Sequence, residues 1–135
     1  MSKIILKNVR VSFPSLLQRA KFNEEETNYQ ATFILDKDTQ IKLIEGIQNK
    51  IEKLTAKTFN CKNLEEHRVC LRDGDTFSYE PYANHMCIKA SSKTQPIVDG
   101  NPLEGDYVNA IIQIWPQTKY GNRINAKLLY VSEIK

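Results

Sequence analysis

Apolar and polar residues alternate along most of this chain, a pattern typical of half-buried β-strands. In the first such segment the alternation slips by one position near Asn8, which predicts a β-bulge. Pro14 is expected to end that strand because proline has no N–H to donate. The pattern as a whole predicts strands over residues 3–13, 28–35, 68–71, 85–90, 107–115 and 123–131.

One segment has the periodicity of a helix instead. Its apolar residues recur three or four positions apart, which predicts an amphipathic helix over about residues 39–57 that packs on a sheet. Asp36 or Asp38 can cap it. The polar stretches 18–28 and 58–67 are expected to be loops, with Glu24–Glu26 as a solvated turn. The apolar stripe of the helix consists of Ile44, Ile47, Ile51 and Leu54.

Many short strands with one dominant helix predict a mainly β fold with the architecture of a small closed or nearly closed barrel. A chain of 135 residues fits one domain, spanning 1–135, with a hydrophobic core of its own. No signal peptide or membrane span is recognisable, and the cysteines form no CxxC pair. Reduced thiols, mostly in the core, are therefore expected at Cys61, Cys70 and Cys87.

The net charge of +3 permits nucleic-acid binding but does not require it, so the distribution of charge matters more. Rings and cations are interleaved over residues 71–99 and again around the last predicted hairpin. Bases stack on such rings while phosphates bind the cations. Tyr107 and Tyr130 are expected in the core instead. The candidate DNA-binding residues are Arg72, Tyr79, Tyr82, His85, Lys89, Lys93, Trp115, Tyr120 and Arg123.

Two constellations could carry metal chemistry. Asp73, Asp75 and Glu80 could hold Mg²⁺ in a nuclease, but the Asp-Gly-Asp sequence also has the composition of a simple turn. No nucleophile elbow or phosphate-binding glycine loop is present, so no enzyme activity, metal or cofactor is predicted. Zinc ligands could come from Cys61, His67, Cys70, His85 and Cys87, although their spacing matches no standard zinc motif.

An ordered set of short motifs spans nearly the whole chain. The motifs are Val9-Arg10-Val11-Ser12-Phe13-Pro14, Tyr29 to Lys37, Leu71-Arg72-Asp73-Gly74-Asp75, Tyr82-x-x-His85, Ala90 to Pro96 with Asp99, Tyr107-Val108-Asn109-Ala110 and Tyr120-Gly121-Asn122. In this ordered set the chain resembles the bacteriophage single-stranded-DNA-binding proteins of the OB-fold type.

The resemblance implies an OB barrel that coats single-stranded DNA in phage replication, recombination or repair, in the cytoplasm of the infected bacterial host. It implies no catalysis and no cofactor. Many such proteins end in an acidic tail that recruits partners, whereas this sequence ends Ser132-Glu133-Ile134-Lys135, so recruitment through a tail is not expected. Either phage replication or recombination proteins bind another surface, such as the Glu24–Glu26 loop, or the protein mainly coats DNA. The DNA contacts that the resemblance implies are Arg72, Tyr82, His85, Lys93 and Tyr120.

Two other functions stay open at this point. The first is a phage β-barrel protein that binds a host or replication protein without DNA. The second is the metal-dependent nuclease described above. An unpaired edge strand also leaves room for a homodimer. Titration with oligo-dT at two salt concentrations separates the DNA-binding hypothesis from the first alternative, because phosphate contacts make binding salt-dependent.

Overall fold

The computed structural model describes residues 3–17, 21–22, 25–26, 28–119 and 121–134. In this part of the chain one helix, α1 (Ile41–Phe59), follows the fourth strand, and short 3₁₀ turns occur at Glu66–Arg68, Gly74–Thr76 and Glu80–Tyr82. The strands are β1 (Lys3–Ser15), β2 (Lys21–Phe22), β3 (Glu25–Glu26), β4 (Tyr29–Asp36), β5 (Leu71–Asp73), β6 (His85–Ser92), β7 (Ile97–Asp99), β8 (Tyr107–Gln117) and β9 (Arg123–Glu133).

Strand pairing closes a barrel. The main sheet has the order β5-β6-β4-β1-β8-β9-β7, and β6 also pairs with β9, so that β6, β4, β1, β8 and β9 form a ring. The β6–β9 pairing is parallel, while the other pairings within the ring are antiparallel. The predicted mainly β fold with an OB-fold-like small barrel is confirmed, as is the closing hairpin of β8 and β9.

The core fills the barrel from alternate positions of each strand. Phe33 and Leu35 of β4 and Ile88 of β6 are fully buried there, as the alternation predicts. The apolar stripe of α1 belongs to the same core, with Ile44, Ile47 and Ile51 buried, so the predicted packing of the helix against the sheet is confirmed. No helix in the described residues is long and apolar enough to cross a membrane.

β1 contains two irregularities, of which the sequence predicts one. The register against β8 shifts between Leu6 and Val9, and Asn8 has a φ of 54°, which confirms the predicted bulge. A second shift, against β4, lies between Ser12 and Ser15, where Phe13 has a φ of 51°. β1 continues through Pro14 to Ser15, so the prediction that Pro14 ends the strand is wrong.

Several predicted boundaries need correction. The helix begins at Ile41 and has no side-chain cap, because Asp36 uses its carboxylate to accept the N–H groups of Asp38 and Thr39 in the preceding turn. The short strand predicted over 68–71 is Leu71–Asp73 instead. Glu25–Glu26 is not a turn but pairs with Lys21–Phe22, and Glu24 lies outside the described residues.

Three predicted core side chains are placed differently. Tyr107 is 51% exposed, because Val108 points inward and the alternation of β8 turns Tyr107 outward. Tyr130 is half-buried. Cys61 is exposed, whereas Cys87 is buried and Cys70 is half-buried. The exposed Tyr107 ring lies against Arg10 of β1, whose guanidinium carbon is 6.0 Å from the ring centroid.

Candidate nucleic-acid interface

A groove of about 420 Å³ runs along the outer face of the barrel, beside the parallel β6–β9 pairing. Cationic side chains from separate parts of the chain line it, and none of the described residues that line it is an aspartate or glutamate. Such a surface attracts anions, because nearby like charges sum to a strong local potential. The cations that line it are Arg68, Arg72, Lys89 and Arg123, joined by His67.

The carbonyl oxygen of His67 brings two of these arginines together. It accepts a hydrogen bond from Arg72 at 2.8 Å and another from Arg123 at 3.4 Å. Arg68 lies on the same 3₁₀ turn and donates to the carbonyl of Asn122 at 3.5 Å. The three guanidinium groups are thus held around one turn by backbone acceptors, and no carboxylate among the described side chains pairs with them.

Lys89 reaches the groove from the middle of β6. It is paired with Thr32 of β4, and both residues lie on the outer face of the barrel because their neighbours Ile88 and Phe33 point inward. Lys89 is exposed, and Ser91 and Asn125 add polar groups near it along the groove. Lys89 therefore adds an exposed ammonium group to the groove that the three arginines also line.

Four aromatic rings form a row that begins in the groove, and we call Phe13, Phe77, Tyr79 and Tyr82 the ring cluster. Phe77 and Tyr82 line the groove itself, with ring centroids 5.8 Å apart. Tyr79 lies 4.8 Å from Tyr82, and Phe13 lies 5.7 Å from Tyr79. Rings at these separations are in direct contact, so the cluster forms a continuous apolar track that starts in the groove.

Tyr82 anchors this cluster. Only 7% of Tyr82 is exposed, and its ring packs against Ile34 and Cys87 on the outer face of the barrel. Its hydroxyl donates to Ser12 Oγ at 2.9 Å. Burial raises the pKa of Tyr82, since the phenolate would be charged in an apolar site. The predicted outward ring is therefore largely buried, and it presents only a narrow edge to the groove.

The position of Tyr82 also separates two predicted contacts. Cys87 lies between His85 and Lys89 on the outer face of β6, so Tyr82 covers the surface between them. His85 lies in a smaller cavity of about 380 Å³ with Arg10 and Asp36. Its Nδ1 is 2.7 Å from the carbonyl oxygen of Ala83. The structure therefore places His85 outside the groove.

The remaining predicted residues lie around the groove or outside the described chain. Trp115 on β8 is half-buried and pairs with Asn125, which lines the groove. Lys93 follows the end of β6 and is exposed. Tyr120 lies outside the described residues.

Two residues that line the groove, Arg68 and Phe77, are not among the candidates predicted from the sequence. Arg68 gave no signal because it lies outside the two segments where rings and cations alternate.

Two of the three acidic residues considered for Mg²⁺, Asp73 and Asp75, have Lys37 as a partner. The Lys37 ammonium lies 2.6 Å from Asp73 and 2.7 Å from Asp75. The hydrogen bond from Lys37 lowers the pKa of Asp73, and the backbone N–H of Asn84 is the largest cause of the lowered pKa of Asp75. The described residues contain no group of three or more histidine, cysteine or acidic side chains that could hold a metal ion. The five residues considered for zinc do not converge.

Comparison with known proteins decides the family. A family profile described as the single-stranded-DNA-binding protein of Enterobacter phage Enc34 matches residues 2–135. The chain belongs to this family. It is also 31% identical to protein p50 of Acyrthosiphon pisum secondary endosymbiont phage 1, over 93% of this chain and 79% of that protein.

Solved structures of the Enc34 family protein have the same fold as this chain. The bacteriophage Enc34 protein in complex with single-stranded DNA is 26% identical, with a TM-score of 0.83 over 98% of this chain and 86% of that chain. The single-stranded-DNA-binding protein of bacteriophage T7 is 9% identical, with a TM-score of 0.57 over 100% of this chain and 92% of that chain. At that identity the second likeness concerns the fold alone.

Proposed function

We propose that this chain binds single-stranded DNA without sequence preference, through the groove and the ring cluster. The observation that carries the proposal is the convergence of four cations and two rings on one groove whose described lining contains no carboxylate. Cations bind the phosphates of any sequence, and every base has a face that can stack on a ring. The solved complex of the Enc34 protein with single-stranded DNA supports the same activity.

Within the groove, Arg72, Lys89 and Arg123 would contact phosphates, and the newly recognised Arg68 would join them. Phe77 and Tyr79 are 40% and 37% exposed and can offer ring faces to bases. Tyr82 would act chiefly as the anchor that holds them. Lys93, Trp115 and Tyr120 stay in the proposal as contacts at the margin, whereas His85 leaves it, because Tyr82 separates it from the groove.

Binding, and no reaction on the DNA, is the activity we propose. The carboxylates of Asp73 and Asp75 are engaged by Lys37, which supports a structural role for them. We propose further that residues 1–135 act as one domain, that the protein works in the cytoplasm of the infected bacterial host, and that it coats DNA during phage replication, recombination or repair. A homodimer through an edge of the main sheet would use β5 or β7, which have 3 residues each.

The proposal is tested by titrating the protein with oligo-dT at two salt concentrations, using the fluorescence of Trp115, the single tryptophan, and the anisotropy of a labelled oligonucleotide. We expect saturable binding that weakens steeply with salt, and weaker binding to a duplex of the same length. Absence of salt-dependent binding to oligo-dT would overturn the proposal. A pulldown from host lysate would then address the alternative of a protein partner.

A further inference from the structure

Phe13 has an unusual backbone conformation for a large side chain. Its φ of 51° lies in the left-handed region, where the Cβ atom of any residue except glycine is crowded and where bulky residues are rare. Such strain persists only where the surroundings impose it, and it is concentrated at functional sites. The ring gains little from burial in return, because Phe13 is 57% exposed.

A bulge and one long-range hydrogen bond impose this conformation. Between the pairs Ser12–Thr32 and Ser15–Gln30, β1 has one residue more than β4, which is the geometry of a β-bulge. The N–H of Phe13 donates to Glu104 Oε1 at 2.7 Å, from the loop before β8. Bulges next to binding sites redirect a side chain, and here the redirected side chain is an exposed aromatic ring.

The Phe13 ring lies against the other rings of the ring cluster and is not surrounded by solvent alone. It lies 5.7 Å from Tyr79 at an interplanar angle of 34°, and Tyr79 in turn contacts Tyr82 at the groove. Ser12, the residue before Phe13, accepts the hydrogen bond from Tyr82. Two adjacent residues of β1 therefore link the bulge to the groove: Ser12 contacts Tyr82, and Phe13 contacts Tyr79.

We propose that Phe13, supported by Tyr79, is a base-stacking site outside the groove that extends the path of bound single-stranded DNA along the ring cluster. This inference rests on the proposed function and adds to it a direction for the strand: from the cationic groove, past Phe77 and Tyr82, to the bulge of β1. The ligand is a nucleobase of any kind, because stacking on a phenyl ring does not depend on hydrogen bonds to the base.

The test measures affinity for oligo-dT of increasing length with wild type, Phe13→Ala, Phe13→Leu and Phe13→Tyr. For oligonucleotides that fill only the groove, all four proteins are expected to bind equally. For longer ones, Phe13→Ala and Phe13→Leu should bind about 5- to 150-fold more weakly, the range for loss of one stacked base. Phe13→Tyr keeps an aromatic face and should restore the affinity.

A matched control separates stacking from a general loss of apolar surface. Ile5 lies on the same strand and is 58% exposed, but it is not in the ring cluster, so Ile5→Ala should leave affinity unchanged at every length. Phe13→Gly should bind as weakly as Phe13→Ala. Its thermal unfolding midpoint should not be lower than that of Phe13→Ala, because glycine adopts a positive φ freely.

The possible failures can be told apart. If wild type binds no oligo-dT, the proposed function fails and takes this inference with it. If wild type binds but Phe13→Ala matches it at all lengths, only the stacking site is overturned. If wild type self-associates and Phe13→Ala abolishes the association without weakening DNA binding, the ring serves contact between copies, and the inference is likewise overturned.

Discussion

The hydroxyl of Tyr82 donates a hydrogen bond to Ser12 Oγ at 2.9 Å, and both residues are buried. This contact joins β1 to the segment after β5, across 70 positions of sequence. It fixes Tyr82 on the outer face of the barrel, where the ring supports Phe77 and Tyr79. One buried contact thus positions the exposed rings that we assign to DNA binding.

Removing only this hydroxyl should affect stability more than binding. We expect Tyr82→Phe to lower the free energy of unfolding by about 0.5–1.5 kcal/mol, the net value of one hydrogen bond, with oligo-dT affinity nearly unchanged because the ring remains. Tyr82→Ala removes the ring and should cost about 3 kcal/mol or more. Urea unfolding and oligo-dT titration measure the two effects.

Ser12→Ala is the matched control, since it removes the acceptor and leaves the Tyr82 ring in place. It should resemble Tyr82→Phe in stability and in affinity. Because only 7% of Tyr82 is exposed, loss of stability is the expected main result of Tyr82→Ala. A Tyr82→Ala protein as stable as wild type would contradict the anchoring role.

Local pattern accounts for most of the barrel but for only part of the groove. The slip in alternation at Asn8 is visible in the sequence, whereas the bulge at Phe13 depends on Glu104, which is 91 positions away. Arg123 and His67 meet across 56 positions, next to the parallel bridge between Val69 and Ile124, which no local pattern encodes. Such long-range contacts decide which cations share a surface.

Two residues on the same face of a strand need not line the same cavity. His85 and Lys89 are both candidate DNA-binding residues on one face of β6, but only Lys89 lines the groove. They are four positions apart along the strand, which is about 13 Å, and Tyr82 covers Cys87 between them. Sequence spacing gives the face of a strand, but not which neighbouring segment packs on that face.

Lys89 provides a test of the phosphate contacts. Lys89→Ala should weaken oligo-dT binding about fivefold, as expected for loss of about 1 kcal/mol from one exposed ion contact. It should also reduce the slope of log affinity against log salt by about 0.7, the value for one phosphate contact on a single strand. Fluorescence titrations at several salt concentrations give both quantities.

A lysine elsewhere on the protein is the appropriate control. Lys53 is exposed on α1 and lines a different cavity, with Lys50 and Lys57. Lys53→Ala changes the net charge by the same amount as Lys89→Ala. Any difference in affinity or salt slope between the two variants is therefore due to where the lysine lies on the protein. Equal slopes for both variants would mean that the binding depends on overall charge and not on the groove.

The Lys37 ion pairs should make part of the stability depend on acid pH. Lys37 lowers the pKa of Asp73, and the Asn84 N–H lowers that of Asp75. The two carboxylates contribute fully to stability above their pKa in the unfolded chain, which is near 4. This contribution is lost as the pH falls through their lowered pKa values in the folded protein. The pKa of Lys37 is raised, so its own contribution is lost only at strongly alkaline pH.

Asp73→Asn removes one of these carboxylates while the amide oxygen can still accept the N–H of Asp75. The variant should be less stable than wild type at pH 7, and its stability should fall less between pH 5 and pH 2. Asp99→Asn, at an exposed position on β7, makes the same chemical change away from Lys37 and is the matched control. Thermal unfolding at a series of pH values measures this, and parallel curves for wild type and Asp73→Asn would contradict the assignment.

The cysteines allow occupancy of the groove to be followed without altering its charged residues. Cys61 is exposed, whereas burial raises the pKa of Cys70 to about 12 and that of Cys87 to about 11. Because the thiolate is the reactive form, N-ethylmaleimide at pH 8 should label Cys61 fast and the other two slowly. Cys70 and Cys87 both line the groove, so bound oligo-dT should slow their labelling further and leave Cys61 unchanged.

Stabilisation by a ligand could also slow these two thiols, because any ligand of the folded state makes unfolding rarer. Thr55→Cys separates the two causes, since it introduces a thiol at a buried position of α1 that does not line the groove. Occlusion of the groove should protect Cys70 and Cys87 but not the introduced thiol, whereas general stabilisation would protect all three. Mass spectrometry of the labelled peptides reads each site separately, and equal protection of all three would place the bound DNA elsewhere on the barrel.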